Sequence, residues 1–175
     1  DDARPGRDLT EGLLGREETM MALGLTEPES FLHLEEHPDI RVLFGSGTVS
    51  RLGEEAAKLG KRALLVTDAG IVQAGHVAVA QASLEEAGLK VAFFDKSIEN
   101  PTSSCVDACV AVAKEAEVDV MVGLGGGSSM DTAKGCNFVL TNGGTMKDYW
   151  GIGKAAKPML PLIAVPTTAG TGSEC

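Results

Sequence analysis

An α/β fold with a doubly wound, parallel sheet is predicted by three features of this sequence. Short apolar runs alternate with helix-periodic stretches at intervals of roughly 25 to 30 residues, the spacing of βαβ units. The run Val118–Val122 is apolar and β-branched apart from Asp119, as in a strand buried within a sheet. Directly after it, Gly123, Gly125, Gly126 and Gly127 lead into a helical pattern that opens at Ser128.

Residues 1–30 are acidic and weakly periodic, and read as an N-terminal arm. A helix over Thr10–Leu23 would be weakened by Gly12, Gly15 and Gly24. His33, Glu36 and His37 formally match H-x-x-E-H, a zinc-peptidase pattern that needs both histidines on one long buried helix. Pro38 follows at once, so a solvated pair of histidines is the expectation. Residues 31–175 read as one α/β domain.

Within it, Val42–Phe44 predicts the first parallel strand, and Gly45–Gly47 turns it into a helix striped by Val49, Leu52, Ala56 and Leu59. Ala63–Val66 is the second strand, ending at Thr67-Asp68. Val77, Ala80, Leu84 and Ala87 mark the next helix, closed by Gly88. Val91–Phe94 is the third strand. After Asn100-Pro101, Thr102 can cap a helix striped by Val106, Cys109, Val110 and Ala113. The glycine stretch then supplies the fourth strand, Val118–Val122, and a helix striped by Ala133, Cys136 and Leu140. Ser128 and Asp131 stand at capping-box-like spacing at its start. Leu162–Val165 is the fifth strand.

Composition narrows the partners. Among 175 residues, 25 acidic against 15 basic give a net charge of −10, and no basic cluster stands out. Nucleic acid and anionic membranes are therefore poor partners. No apolar run approaches the roughly 20 residues that span a bilayer, and the first residues lack a signal-peptide core. Cys105, Cys109, Cys136 and Cys175 form no C-x-x-C pattern and suit the free thiols of a cytoplasmic protein. The chain starts on Asp rather than Met and stops at Gly-Ser-Glu-Cys, so it is expected to be a piece of a longer polypeptide. A homodimer is one assembly open to it.

In parallel sheets, ligands bind beyond the carboxyl ends of the strands. The residues to read are thus Asp68, Asp95–Asn100, Gly125–Ser128 and Thr167–Thr171, small, polar or charged apart from Ile98. Free amides and the positive end of a dipole at the helix starting near Ser128 would suit a pyrophosphate; a ligand-free glycine turn is the alternative. Asp68 could accept both hydroxyls of an adenosine ribose and repel a 2′-phosphate, which favours NAD over NADP, or it could simply cap a helix. Asn100 is a turn residue or a ligand contact. Thr167, Thr168 and Thr171 bring hydroxyls to a glycine-containing loop.

The motifs VTD (66–68), ENPT (99–102), GLGGGSSMDTAK (123–134) and AVPTTAGTGSE (164–174), in this order and spacing, resemble the iron-containing alcohol dehydrogenases over Ile40–Glu174. The resemblance implies a Rossmann-like, dehydroquinate synthase-like N-terminal domain that binds NAD. Asp68 would hold the adenosine ribose, Gly126, Gly127 and Ser128 the pyrophosphate, with Asp131 beside them; Thr167, Thr168 and Thr171 would line the dinucleotide, and Asn100 would lie close by. It also implies a small alcohol or aldehyde as substrate, and a helical domain whose Asp and His residues hold Fe2+ or Zn2+. Those ligands would lie beyond Cys175, so neither catalytic nor metal residues are expected here. Carbon–oxygen lyases resembling dehydroquinate synthase share GGGSxxD, although AGTGSE (169–174) speaks against them. A binding-only nucleotide module is the third reading.

Overall fold

A computed structural model describes residues 30–33 and 40–174. The expected helix over Thr10–Leu23, the rest of the N-terminal arm, Glu36 and His37 lie outside the described residues. The chain divides into two compact units, Asp1–Thr48 and Val49–Cys175.

The first unit holds two strands, β1 (Ser30–His33) and β2 (Arg41–Phe44), paired antiparallel with Ser30 opposite Phe44. This corrects the expectation for Val42–Phe44, which is not a strand of the parallel sheet. The apolar pattern showed a strand but carried no information on its partner, and β1 supplies that partner. His33 lies in this strand, not on the helix that an H-x-x-E-H site needs.

The second unit is the doubly wound domain. Its sheet contains β3 (Arg62–Val66), β4 (Lys90–Phe94), β5 (Val120–Gly125) and β6 (Leu162–Pro166), ordered β4-β3-β5-β6 and parallel throughout. Helices α1 (Leu52–Ala57) and α3 (His76–Glu86) pack on one face, burying Leu52, Ala56, Val77, Ala80 and Leu84 against Ala63, Leu65, Val120 and Val122. Helices α4 (Ser103–Glu115) and α5 (Gly127–Asn142) cover the other, setting Val106, Cys109, Val110, Ala113, Ala133 and Cys136 against Leu64, Val66 and Met121. Consecutive residues of β3 thus feed opposite cores, and the strand needs apolar side chains at every position from Ala63 to Val66. A short helix, α2 (Ala69–Gln73), lies between β3 and α3. Among the described residues, no helix is long and apolar enough to cross a membrane.

The helix stripes hold with two exceptions. Leu59 is 46% exposed because α1 ends at Ala57, and Ala87 is exposed at the end of α3. Thr102 caps α4, accepting from the Cys105 amide at 3.3 Å. The glycine stretch is arranged differently from the expectation. Residue Val118 precedes the strand, which begins at Val120 and runs on to Gly125, because β3 and β6 pair with it on both sides as far as Gly123 and Gly125 respectively. Gly123 is therefore a strand residue, and its missing side chain lets α5 approach. A Cβ there would sit 3.2 Å from Met130 Cα. The capping box between Ser128 and Asp131 does not form either. Gly126 is the N-cap of α5, no side chain caps it, and Ser128 and Asp131 lie inside the helix.

Two asparagines pin the approach to β6, a feature the sequence reading missed. Asn137 Nδ2 donates to Leu160 O at 2.9 Å while its Oδ1 accepts from Leu160 N at 2.9 Å. Asn142 holds Lys157 in the same two-sided way, at 3.2 Å and 2.7 Å. Each amide copies a strand neighbour, so the loop is fixed before the sheet begins.

Candidate functional site

The strand order places a site. The chain moves from β3 to β4 on one side, then crosses back over β3 to β5 and continues to β6. Between β3 and β5 the winding reverses, and loops leaving these two strands part to either side. That switch point, beyond the carboxyl ends of the strands, is where open α/β sheets bind ligands.

An open cleft of about 540 Å³ lies there, lined by Asp68–Gly70 after β3, Ser97–Glu99 after β4, Gly126–Ser128 after β5, and Thr168 and Thr171 after β6. Six residues singled out from sequence meet in it: Asp68, Gly126, Gly127, Ser128, Thr168 and Thr171. Asn100, Asp131 and Thr167 are exposed and lie outside its lining. Thr167 acts through its backbone, donating its N–H to Gly125 O at 2.8 Å and so tying the last loop to the glycine turn. Asn100 holds a left-handed conformation at φ 52° just before Pro101, which suits a turn.

The floor of the cleft is the start of α5. The first amides of a helix have no intrahelical partner, and no side chain caps this one. Donors at Gly127 and Ser128, with the positive end of a 16-residue helix behind them, therefore face the cleft. The glycines here are required by close neighbours. A Cβ on Gly127 would sit 2.9 Å from Ser173 Oγ and 3.3 Å from Thr171 Cβ. Gly125 has φ 143°, and a Cβ on it would lie 2.7 Å from Ser129 Oγ. A side chain at Gly127 would press on the Thr171–Ser173 loop, and one at Gly125 would collide with Ser129.

Asp68 caps α2. Its Oδ1 accepts from the Gly70 and Ile71 amides at 2.9 and 3.1 Å, and its Oδ2 accepts from Ser129 Oγ at 3.0 Å. Of the two alternatives posed by the sequence the helix cap is present, and the same side chain lines the cleft. Ser129, which ties β3 to α5, was not picked out from sequence. Nor were Ala69, Gly70 and Ser97–Glu99, although the rule about strand ends did mark the stretch containing the last three. Two buried hydroxyls nearby, Thr67 Oγ1 and Ser97 Oγ, have no hydrogen-bond partner among the described residues. Buried polar groups are nearly always satisfied, so orphans beside a cleft suit an absent polar ligand. The amide floor, the glycine cradle and these orphans fit a dinucleotide phosphate and its sugars.

The profile described as "Iron-containing alcohol dehydrogenase" matches residues 38–175. The chain belongs to this family. The NAD-dependent methanol dehydrogenase of Bacillus methanolicus is 42% identical over 133 residues, which make up 75% of this chain and 35% of that protein. The 1,3-propanediol dehydrogenase of Klebsiella pneumoniae is 41% identical over 134 residues, at 75% and 35% coverage. Among solved structures, a 1,3-propanediol oxidoreductase superposes with a TM-score of 0.72 at 41% identity, covering 74% of this chain and 34% of its own. The sulfoacetaldehyde reductase of Bifidobacterium kashiwanohense, solved with NAD+, does so at 0.61 and 31% identity, with 74% and 35% coverage. The chain thus spans about a third of the length of the relatives it matches, and their names do not favour the lyase alternative. Among the described residues no group of three or more His, Cys, Asp or Glu is placed to hold a metal ion, so these residues do not fit the metal in the family name.

Proposed function

We propose that this chain is the NAD-binding part of an alcohol dehydrogenase that interconverts a small alcohol and its aldehyde or ketone. The observation that carries this reading is the uncapped N-terminus of α5, opening into the switch-point cleft beside Asp68, Thr168 and Thr171. Family membership and the NAD named for its relatives support it.

In this reading the Gly127 and Ser128 amides hold the pyrophosphate, with Thr168 and Thr171 closing over it from the β6 loop. Asp68 takes the adenosine ribose and disfavours NADP, because a 2′-phosphate would meet a carboxylate there. Bound NAD supplies the hydride acceptor for oxidising an alcohol and the hydride donor for the reverse reaction. This chain's residues fix where the dinucleotide lies. Iron or zinc, and the groups that meet the substrate, belong in our reading to the greater length that the relatives have. Three buried, unpaired thiols, Cys105, Cys109 and Cys136, favour a reducing, cytoplasmic setting.

Titration of the chain with NADH, followed by nucleotide fluorescence, tests the reading. Saturable binding is expected. Gly127→Ala should weaken it at least tenfold, since its Cβ must displace the Ser173–Thr171 loop from the phosphate floor. Absence of NADH binding, or equal affinity in Gly127→Ala, would refute it.

A further inference from the structure

The cleft is lined by two carboxylates, Asp68 and Glu99, and by no lysine, arginine or histidine. The two acids stand differently. Asp68 already receives three hydrogen bonds, from Gly70, Ile71 and Ser129, which take up most of its acceptor positions. Glu99 is exposed and makes no hydrogen bond or ion pair among the described residues, so its charge is free to act on whatever enters.

Backbone bonds bring both acids to the same place. Thr67 N–H donates to Phe94 O at 2.8 Å, and Ser97 N–H donates to Thr67 O at 3.2 Å. These two bonds sew the segment after β4 to the end of β3, one residue before Asp68 and two before Glu99. Beyond Glu99, the left-handed Asn100 and the fixed φ of Pro101 hold the turn. Ser97 belongs to the same wall: it lines the cleft and is only 6% exposed.

We propose that the Ser97–Glu99 wall is a second selector of the cofactor, with Glu99 rejecting a phosphate on the adenosine ribose independently of Asp68. The inference rests on reading the cleft as a dinucleotide site. Charges within about 10 Å, the Debye length at 0.1 M salt, are not fully screened, so both carboxylates act on a group bound in the cleft they line. The pyrophosphate has the amides of α5 to receive it, whereas an additional phosphate near Asp68 would find two carboxylates and no cation. A further consequence is that neutralising Asp68 alone leaves part of the barrier standing.

The test measures NADH and NADPH affinity by fluorescence titration of the chain, for wild type, Asp68→Asn, Glu99→Gln, Glu99→Lys and the Asp68→Asn/Glu99→Gln double variant. Glu99→Gln should raise the NADPH-to-NADH affinity ratio on the order of fivefold, and Glu99→Lys should raise it further. The double variant should exceed either single one, and the gains should shrink at high salt, as a purely structural effect would not. A ratio unchanged by Glu99→Gln in both the wild-type and Asp68→Asn backgrounds, while NADH still binds, would overturn the second selector and leave the cofactor reading intact. Failure of wild type to bind NADH would overturn the cofactor reading, and this inference with it.

Discussion

At the scale of single residues, Asp68 combines two jobs, which decides how it should be probed. Asp68→Gly would remove the charge, the α2 cap and the tie to Ser129 together, and loss of a cap alone costs about 1 kcal/mol. Asp68→Asn keeps an oxygen for the Gly70 and Ile71 amides and removes the charge, and its amide nitrogen meets Ser129 Oγ as a donor where the carboxylate accepted. The asparagine variant should therefore relax the preference for NADH over NADPH by about tenfold with little change in melting temperature, as paired titrations and thermal melts would show. A full preference retained in that variant would mean that Asp68 serves the fold alone. Asn137 is a purely structural counterpart. It is 1% exposed, and both of its polar atoms are used on the Leu160 peptide. Asn137→Leu should cost on the order of 2 kcal/mol by stranding that peptide, seen as a lower urea midpoint at unchanged slope.

Between elements, the closest packing is set by glycine and by one serine. The Gly53 amide donates to Ser83 Oγ at 2.9 Å, and that hydroxyl donates to Ser50 O at 2.7 Å, which pins α1 against α3. A Cβ on Gly53 would lie 1.8 Å from the Ser83 carbonyl oxygen. The obstruction is backbone and cannot rotate away. Gly53→Ala should thus destabilise the protein by about 3 kcal/mol or more, although alanine gains about 1 kcal/mol over glycine as a helix former. A thermal melt at or above the wild-type value would show that α1 separates from α3 at no cost.

Across the whole molecule, the thiols report on the integrity of the α4–α5 layer. Cys109 and Cys136 are fully buried, and the hydrogen bond between them, followed by burial, pushes the Cys109 thiol far above its ordinary range. The native state thus keeps a proton that the unfolded chain releases above the ordinary thiol value near 9. With fewer protons bound in the unfolded state, stability is whole below that pH and falls above it, by at most about 1.4 kcal/mol per pH unit for this one group. Urea unfolding on either side of that pH should show the decline, and Cys109→Ser should flatten it. The same thiols should react with a disulfide reagent only at the rate of opening of the core. Rapid labelling of Cys109 in the native protein would contradict the packing described.

The sequence by itself determined the fold class, four of the five expected parallel strands and the helix stripes. These follow from local periodicity, and strands buried on both faces admit few polar residues. It also marked the glycine turn and the Asp68 and threonine positions, because residues at strand ends must be small or polar if a ligand is to approach. Only the tertiary structure decided which strand lies beside which. The order β4-β3-β5-β6 makes the gap between β3 and β5 the switch point, and the pairing of β2 with β1 removes Val42–Phe44 from the sheet. Pairing depends on residues far apart in the chain, and no local pattern encodes it. For the same reason the strand-end rule could mark the stretch Asp95–Asn100 but not single out Ser97 and Glu99 within it, and the tie of Ser129 to Asp68 came only from the packing of α5 beside β3.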